Sequence, residues 1–295
     1  MPAPTQISFA GLPAMAPALA RALLGKKPYV APQGATIEPV ELAVRRLRLS
    51  QTHLERYRQV CSAPAHPALP PAYLHVVAMP MHMQLFIARQ FPVKVLGLIH
   101  LRNTIRVLHD IDVRAPLELR VSFDTMRVTD LGQEYDLTTR FAHDGETVWE
   151  EVSTMFARSA APGKEGSKRP SIERSAHPAN GVVTQTLDVG GDTGWRYARV
   201  SGDYNPIHLT ARTAQMFGFK QAVAHGMWSL GRCLAAAAPQ LPSGRMQIDT
   251  QFKLPVYIPS QALTRTWEVD AGADISMCTP RGDRLHLAMQ VRRIA

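Results

Sequence analysis

The amino-acid sequence predicts an α+β protein made of two similar units, each an antiparallel sheet wrapped round one buried helix. Three observations support this fold class: a linker-like segment in mid-chain, a faint repeat on either side of it, and an apolar helix in the second half. Residues 159–181 are rich in small residues, proline, glycine and mixed charge, and they lack apolar periodicity, as linkers do. We therefore predict a first unit over residues 1–158 and a second over residues 182–295.

The repeat consists of features that recur in the same order in both halves. A short motif precedes an apolar run of helical length; a strand-like stretch, a further strand and a hairpin turn flanked by alternating residues follow. The paired segments are 77–81 and 223–227, 105–121 and 246–267, and 143–145 and 281–283. Identity between the halves is low, so chance similarity is the alternative explanation.

The helix predicted over residues 226–238 carries one charged residue, Arg232, and is apolar on nearly all sides. A helix of this kind is buried rather than placed on a surface. The last predicted strand alternates, with Leu287, Met289 and Val291 on one face and mostly polar residues on the other. A sheet with one apolar face would provide the surroundings that this helix needs.

Composition limits the classes of function. The net charge is +9, from 33 Lys and Arg against 24 Asp and Glu. The basic residues are scattered without a nucleic-acid-binding motif, so they form either a solvated surface or a rim that attracts an anionic carrier. The three cysteines form no CxxC pair, which predicts neither a disulfide framework nor a zinc site. No secretory signal pattern and no apolar run of membrane-spanning length are present, so we expect a cytoplasmic protein.

The segment that carries chemistry lies at residues 201–210. Gly202 and Pro206 predict a tight, irregular loop, on which Asp203 and His208 stand five residues apart. A carboxylate and an imidazole held on a rigid loop suit general acid–base catalysis, because histidine titrates near neutral pH. Ordinary turn chemistry is the alternative interpretation of the same residues. Thr210 is a good N-cap, so a short helix should begin there.

The string SGDYNPIH at residues 201–208, followed by HGM at 225–227, resembles the signature of the MaoC-like family of (R)-specific enoyl-CoA hydratases (hydratase 2). The resemblance covers residues 195–267 well, and it is specific because Asp, Asn-Pro and His must all fall in register before the glycine. That family has a hot-dog fold, an antiparallel sheet round a central helix. Two units in one chain resemble its double hot-dog members, whose first unit is degenerate.

The resemblance implies a catalytic dyad of Asp203 and His208, with Asn205 holding the loop that orients them. The implied reaction is the (R)-specific addition of water to a 2-enoyl thioester, or the reverse dehydration of a 3-hydroxyacyl thioester. Asp203 would accept a proton from water while His208 positions that water and helps to protonate C2; which of the two protonates C2 stays open. The reaction needs no metal, flavin or nicotinamide, so we expect no cofactor.

The same resemblance implies that Gly226 supplies a backbone N–H to the thioester oxygen. Physical chemistry supports this role independently, because Gly226 should open the buried helix, where free N–H groups and the helix dipole favour negative charge. His225 and Met227 beside it are candidate substrate-binding residues. In the first half, Met81 and Met83 are candidates for an acyl-chain pocket, since methionine adapts to irregular shapes, with core packing as the alternative.

The first half should not catalyse. In the repeat alignment Pro80 falls opposite Gly226, and proline has no N–H to donate. The stretch upstream, residues 53–65, contains no aspartate. Three histidines of this half match no common metal-ligand spacing: His82, His100 and His109.

Two other functions remain as alternatives. Other hot-dog proteins are acyl-CoA thioesterases, although the Asp-x-Asn-Pro-x-x-His string argues against that activity. A non-catalytic subunit that binds acyl thioesters is the second alternative, and an intact dyad argues against it. The expected partners are an acyl-CoA or acyl-carrier-protein thioester and a second copy of the chain in a homodimer, with no nucleic acid and no membrane span.

Overall fold

The computed structural model describes residues 5–35, 38–65, 69–158 and 181–295. The predicted linker therefore lies outside the described residues, apart from Gly181. No helix within the described ranges is both long enough and apolar enough to cross a membrane.

The first unit contains six strands and three helices in the described residues. They are β1 (Thr5–Phe9), α1 (Met15–Leu24), β2 (Val40–Leu47), α2 (Gln51–Cys61), α3 (Tyr73–Ile87), β3 (Ile99–Val107), β4 (Leu117–Thr129), β5 (Gly132–His143) and β6 (Glu146–Arg158).

The second unit repeats this order with an inserted loop and short helix. Its elements are β7 (Val183–Val189), α4 (Thr193–Ser201), a 3₁₀ turn (Pro206–His208), α5 (Ala211–Gln215), β8 (Ala222–Val223), α6 (Gly226–Ala236), a second 3₁₀ turn (Ala238–Gln240), β9 (Met246–Phe252), β10 (Tyr257–Ile258), β11 (Ser260–Val269), β12 (Gly272–Cys278) and β13 (Leu285–Arg293).

One continuous sheet joins the two units. Its strand order is β1-β2-β4-β5-β6-β3-β9-β13-β12-β11-β7, and every neighbouring pair is antiparallel except β1 and β2. The order β2-β4-β5-β6-β3 in the first unit matches β7-β11-β12-β13-β9 in the second. The units meet where β3 pairs with β9, with Ile105 opposite Ile248. The predicted double hot-dog fold is confirmed.

Each half of this sheet wraps round one central helix, which is α3 in the first unit and α6 in the second. Most of α3 is buried, and α6 buries Leu230, Cys233 and Leu234 in the same hydrophobic core. The predicted buried helix begins at Gly226 as expected and ends two residues early, at Ala236. Truncating a fully buried leucine such as Leu230 to alanine should cost about 2–5 kcal/mol of stability.

The only charged residue of α6 contacts the end of α2 in the first unit. The Nη1 of Arg232 donates to the carbonyl of Cys61, 3.3 Å away. A cation satisfies an unpaired carbonyl at the C-terminus of a helix and interacts favourably with its dipole. The indole Nε1 of Trp228 donates to the carbonyl of Val60, one residue earlier, at 3.0 Å. The two units are therefore held together by these helices as well as by the sheet.

Pro80 and Gly226, which the repeat places opposite each other, stand at different positions in their helices. Helix α3 begins at Tyr73 and contains Pro80 in its interior, whereas Gly226 is the first residue of α6. Tyr73 is the residue that begins α3, as Gly226 begins α6. The apolar run extends upstream of Pro80, and burial on all sides of α3 offsets the hydrogen bond that the proline removes.

The two strand-like stretches are also divided more finely than predicted. Residues 105–121 contain the end of β3 and the start of β4, and residues 246–267 contain β9, β10 and most of β11. A proline interrupts each stretch, because it donates no hydrogen bond to a sheet: Pro116 precedes β4, and Pro259 separates β10 from β11. Strands β1, β2, β7 and β8 and helices α1, α2 and α4 were not predicted.

The hairpin predictions are confirmed. Asp144 and Gly145 have φ angles of 48° and 83° between β5 and β6, as a tight hairpin turn requires, and Gly282 has a φ of 73° between β12 and β13. The predicted alternation of β13 also holds, since Leu287, Met289 and Val291 are buried.

Candidate active site

The loop that carries Asp203 begins where α4 ends. Gly202 is the C-cap of α4 with a φ of 75°, a left-handed conformation that favours glycine, and its N–H donates to the carbonyl of Ala198 at 2.8 Å. The next N–H, of Asp203, donates to the Oγ of Ser201 at 3.1 Å. The helix end thus fixes the backbone from which the Asp203 side chain projects.

Asn205 organises the rest of the loop. Its N–H donates to the Oδ1 of Asp203 at 3.1 Å, and its own Oδ1 accepts from the N–H of Ile207 at 3.4 Å, at the start of the 3₁₀ turn. Thr210 then caps α5, as the sequence predicted. These local bonds agree with the loop-holding role expected of Asn205.

His208 is buried and fixed in one orientation. Its Nδ1 lies 2.6 Å from the carbonyl oxygen of Val223, in β8, so Nδ1 carries the proton and donates it. The Nε2 of the neutral ring is left as a proton acceptor. A carbonyl that fixes the tautomer in this way prepares the ring for acid–base work.

His225 completes a compact group with Asp203 and His208. One ligand-type atom from each of the three side chains lies within 4.8 Å of those of the others. The Nε2 of His225 donates to the main-chain carbonyl of Asp203 at 2.9 Å and lies 3.9 Å from its Oδ2. The imidazoles of His225 and His208 stack with centroids 3.7 Å apart and planes 25° apart. His225 thus supports both dyad residues, a position that its spacing in the sequence does not reveal.

The electrostatics of this group favour an ionised Asp203 and a neutral His208 at neutral pH. Burial raises the pKa of Asp203, but His225, His208 and the N–H of Asn205 outweigh it, so the pKa lies below its ordinary value. Burial lowers the pKa of His208, and Asp203 and the Val223 carbonyl compensate only in part. The side chain of Asp203 is 30% exposed, so an ionised carboxylate faces solvent or a bound ligand.

Three such ligand atoms also resemble a metal-binding group. In this case the two stacked rings are nearly parallel and 3.7 Å apart, whereas each imidazole binds a metal in its own plane. An ion shared by both rings would lie outside both planes. The geometry therefore suits proton transfer better than metal ligation.

Gly226 stands at the first position of α6, directly after His225. N–H groups in the first turn have no partner within their own helix, and the helix dipole adds positive potential there. The ring of Phe252 packs over this glycine, and a Cβ added to Gly226 would lie 3.1 Å from it. Close packing against Phe252 therefore favours glycine at this position. Its neighbour Met227 is buried in the core, so its substrate-binding role stays a prediction.

Gly194, in the first turn of α4, was missed by the sequence analysis. A Cβ at this position would lie 1.8 Å from the carbonyl oxygen of His208, so the helix and the dyad loop touch backbone to backbone. Only the absence of a side chain permits this approach. Helix α4 was not predicted, and nothing in the local sequence identifies His208 as the partner of Gly194.

The structure contains a cavity of about 660 Å³ between the units, lined mainly by apolar residues such as Tyr57, Leu74, Trp149 and Leu234. Neither the dyad nor Gly226 lines it. Met81 is fully buried in the main core, and Met83 packs in a small cluster with two alanines of α1. Their role in binding an acyl chain therefore stays a prediction.

The fold and the arrangement of the loop define a class of protein. The profile of the MaoC-like domain matches residues 170–280, which include the dyad and Gly226. Residues 170–280 thus match a MaoC-like domain, and the chain carries it on a hot-dog fold.

Individual relatives extend the match to nearly the whole chain. The chain is 27% identical over 274 residues to 3-hydroxyacyl-thioester dehydratase X of Mycobacterium tuberculosis, covering 93% of this chain and 96% of that protein. The crystal structure of HtdX from the same organism superposes with a TM-score of 0.74 at 25% identity, over 86% of this chain and 100% of the other. A 138-residue segment is 34% identical to a peroxisomal hydratase-dehydrogenase-epimerase of Neurospora crassa, over 45% of this chain and 15% of that protein.

Proposed function

We propose that this protein catalyses the (R)-specific hydration of 2-enoyl thioesters and the reverse dehydration of 3-hydroxyacyl thioesters, with Asp203 and His208 as the catalytic dyad. The observation that carries the proposal is that a carboxylate oxygen of Asp203 and a ring nitrogen of His208 lie within 4.8 Å of each other beside the first turn of α6. The name of the 3-hydroxyacyl-thioester dehydratase to which the chain is related supports the same substrate class.

The protonation states suggest how the proton moves. Because the pKa of Asp203 and that of His208 both lie below their ordinary values, neither residue holds a spare proton at neutral pH. The dyad accepts one proton from the attacking water as the hydroxyl bonds to C3. It then returns that proton to C2, so the product gains one water and the enzyme ends unchanged. In dehydration the same steps run in reverse.

The negative charge that develops on the thioester oxygen needs a donor. The N–H of Gly226, at the positive end of α6, supplies it in this mechanism. At the start of α3 in the first unit, the N–H of Tyr73 already donates to the carbonyl of Pro70 at 2.9 Å. We therefore expect one active site per chain because this N–H is occupied, and no longer because of Pro80.

The stereochemistry follows from the dyad standing on one loop. Both residues act from a single face of the enoyl group, so hydroxyl and proton arrive on the same face. Together with the family resemblance, this favours the (3R)-hydroxyacyl product. The thioester carrier, the homodimer and a cytoplasmic location remain predictions.

The decisive test compares Asp203→Asn with the unaltered protein, using a series of 2-enoyl-CoA esters and following the loss of conjugated thioester absorbance. Losing the proton acceptor should reduce kcat by about a hundredfold or more, since general acid–base catalysis contributes that much. Folding should survive, because the side chain is partly exposed. Asp188→Asn, on the exposed surface of β7, is the matched control and should retain full activity.

Three results would contradict the proposal. Near-normal turnover by folded Asp203→Asn would remove this residue from the mechanism. Release of free thiol from acyl-CoA by the unaltered protein would favour a thioesterase. Tight binding of enoyl-CoA without any turnover would favour a non-catalytic acyl-binding subunit.

A further inference from the structure

The first unit contains a buried polar cluster that the proposed mechanism does not use. Glu151 on β6 is fully buried. Both of its carboxylate oxygens lie 2.9 Å from the Nδ1 of His75 on α3. Its Oε1 also accepts a hydrogen bond from the side-chain amide of Asn103 on β3 at 2.5 Å. A second imidazole, His82, bonds to Thr139 at 2.7 Å. Charged groups buried this deeply are costly unless paired, so such a cluster is unusual in a unit that only provides packing.

A third imidazole, His100 on β3, links this cluster to the active site. Its ring stacks on His75 at a centroid distance of 6.1 Å and contacts Phe252 of the second unit at 4.8 Å. Phe252 in turn covers Gly226 at the start of α6. The carboxylate of Asp203 is close enough to act on the pKa of His100 through space. The first unit thus places an imidazole beside the catalytic loop of the second.

The bonding of His100 is incomplete. Its Nε2 is buried and has no hydrogen-bond partner among the described residues, while the backbone of Arg102 bonds to the ring. Burial lowers the pKa of His100 to about 4, so the ring is neutral at physiological pH and one nitrogen is a lone-pair acceptor. An unsatisfied buried acceptor costs stability, and a ligand that supplies a donor would recover it.

We propose that His100 is a substrate-binding residue whose Nε2 accepts a hydrogen bond from the attacking water and from the 3-hydroxyl group that this water becomes. The substrate chemistry explains why the partner of Nε2 is the O–H of water or of the 3-hydroxyl group. The enoyl group has no O–H or N–H to donate, whereas water and the 3-hydroxyl do. The ring of Phe252 contacts His100 and packs over Gly226, so the proposal requires this ring to turn aside when a thioester binds at Gly226.

This inference rests on the proposed function and can fail separately from it. If the unaltered protein hydrates no enoyl thioester, the proposed function fails. If it does hydrate them and His100 has no part in binding the hydroxyl, only the present inference fails.

The test uses His100→Phe, which keeps a ring against Phe252 but removes the acceptor, and His100→Gln, which restores one. Leaving the hydroxyl unpaired should cost about tenfold in kcat/KM in both directions. In hydration the loss should fall on kcat with the KM for enoyl-CoA unchanged, and in dehydration on the KM for 3-hydroxyacyl-CoA. His100→Gln should recover part of the lost kcat/KM. The control is His82→Gln, which alters another imidazole of the same cluster. His82 packs against His75 and bonds to Thr139. This variant should leave kcat and KM unchanged.

A binding measurement separates this role from a structural one. In the Asp203→Asn background, where turnover should be at least about a hundredfold slower, His100→Phe should weaken the binding of 3-hydroxybutyryl-CoA about tenfold and leave the Kd for crotonyl-CoA unchanged. Equal weakening of both ligands, or no change in either, would overturn the proposal. Circular dichroism and thermal melting confirm that each variant is folded.

Discussion

The close approach of Gly194 to His208 makes Gly194→Ala a sharp test of how the catalytic loop is held. The added Cβ would lie 1.8 Å from the carbonyl oxygen of His208, whereas real Cβ atoms essentially never approach closer than 3.0 Å. The two backbones must therefore separate by at least about 1.2 Å. Either α4, which leads into Asp203, or the 3₁₀ turn that carries His208 has to move. Both movements change the relative positions of the dyad.

The expected effect is larger on catalysis than on stability. A misplacement of about 1 Å at reacting groups costs on the order of a hundredfold in rate. Overpacking by one methyl group typically costs about 1–3 kcal/mol, so the variant should still fold at 25 °C. We expect Gly194→Ala to lower kcat for enoyl-CoA hydration about a hundredfold and the melting temperature by several degrees.

Gly191→Ala is the matched control, since it lies three residues upstream with no atom within 4 Å of the added Cβ. It should retain both kcat and melting temperature. The assay follows enoyl thioester absorbance alongside thermal melting for the two variants. A folded Gly194→Ala variant with unaltered kcat would refute the argument that this contact sets the dyad geometry.

The remaining predictions concern pH, product and salt. Because hydration needs ionised Asp203 and neutral His208, and the pKa of each is lowered, kcat/KM should be flat near neutral pH and fall only below about 6.5; an acid limb centred above that value would contradict the assignment. Chiral chromatography of the hydration product should show almost exclusively the (3R)-hydroxyacyl thioester, and a predominantly S product would contradict the single-faced dyad. If the net charge of +9 recruits an anionic carrier, kcat/KM should fall as salt rises from about 0.05 to 0.5 M while kcat changes little, and a flat profile would exclude that role.

Local sequence patterns were sufficient for the features that depend on neighbours in the chain. The loop from Gly202 to Thr210, the start of α6 at Gly226 and both hairpin turns all depend on residue types a few positions apart. Each of these patterns has a conformational cause, such as a left-handed C-cap or a threonine N-cap. The sequence therefore predicted them without any knowledge of the tertiary fold.

Contacts between distant residues were not predictable in this way. His225 was expected to touch substrate, but its bond to the Asp203 carbonyl depends on how α6 meets a loop 22 residues earlier. The dependence of His208 on Gly194 and the placement of His100 against Phe252 are likewise set by tertiary packing. The different positions of Pro80 and Gly226 in their helices have a related cause: proline usually marks a helix end, yet burial allows Pro80 to stand inside α3.

Under the proposed mechanism, the two units have different roles on either side of the β3–β9 boundary. The second unit holds the dyad, while the first occupies its own helix N–H at Tyr73 and has no acidic residue in the described part of the stretch equivalent to the dyad loop, residues 62–65 and 69–72. Yet removing the first unit would break hydrogen bonds of the second unit, because Trp228 and Arg232 of α6 donate to carbonyls at the end of α2. Removing it would also expose the edge of β9, a row of unpaired backbone groups beside Gly226 and Phe252. The proposed active site thus depends on contacts with a unit that contributes no member of its dyad, which is a physical reason for both units to remain in one chain.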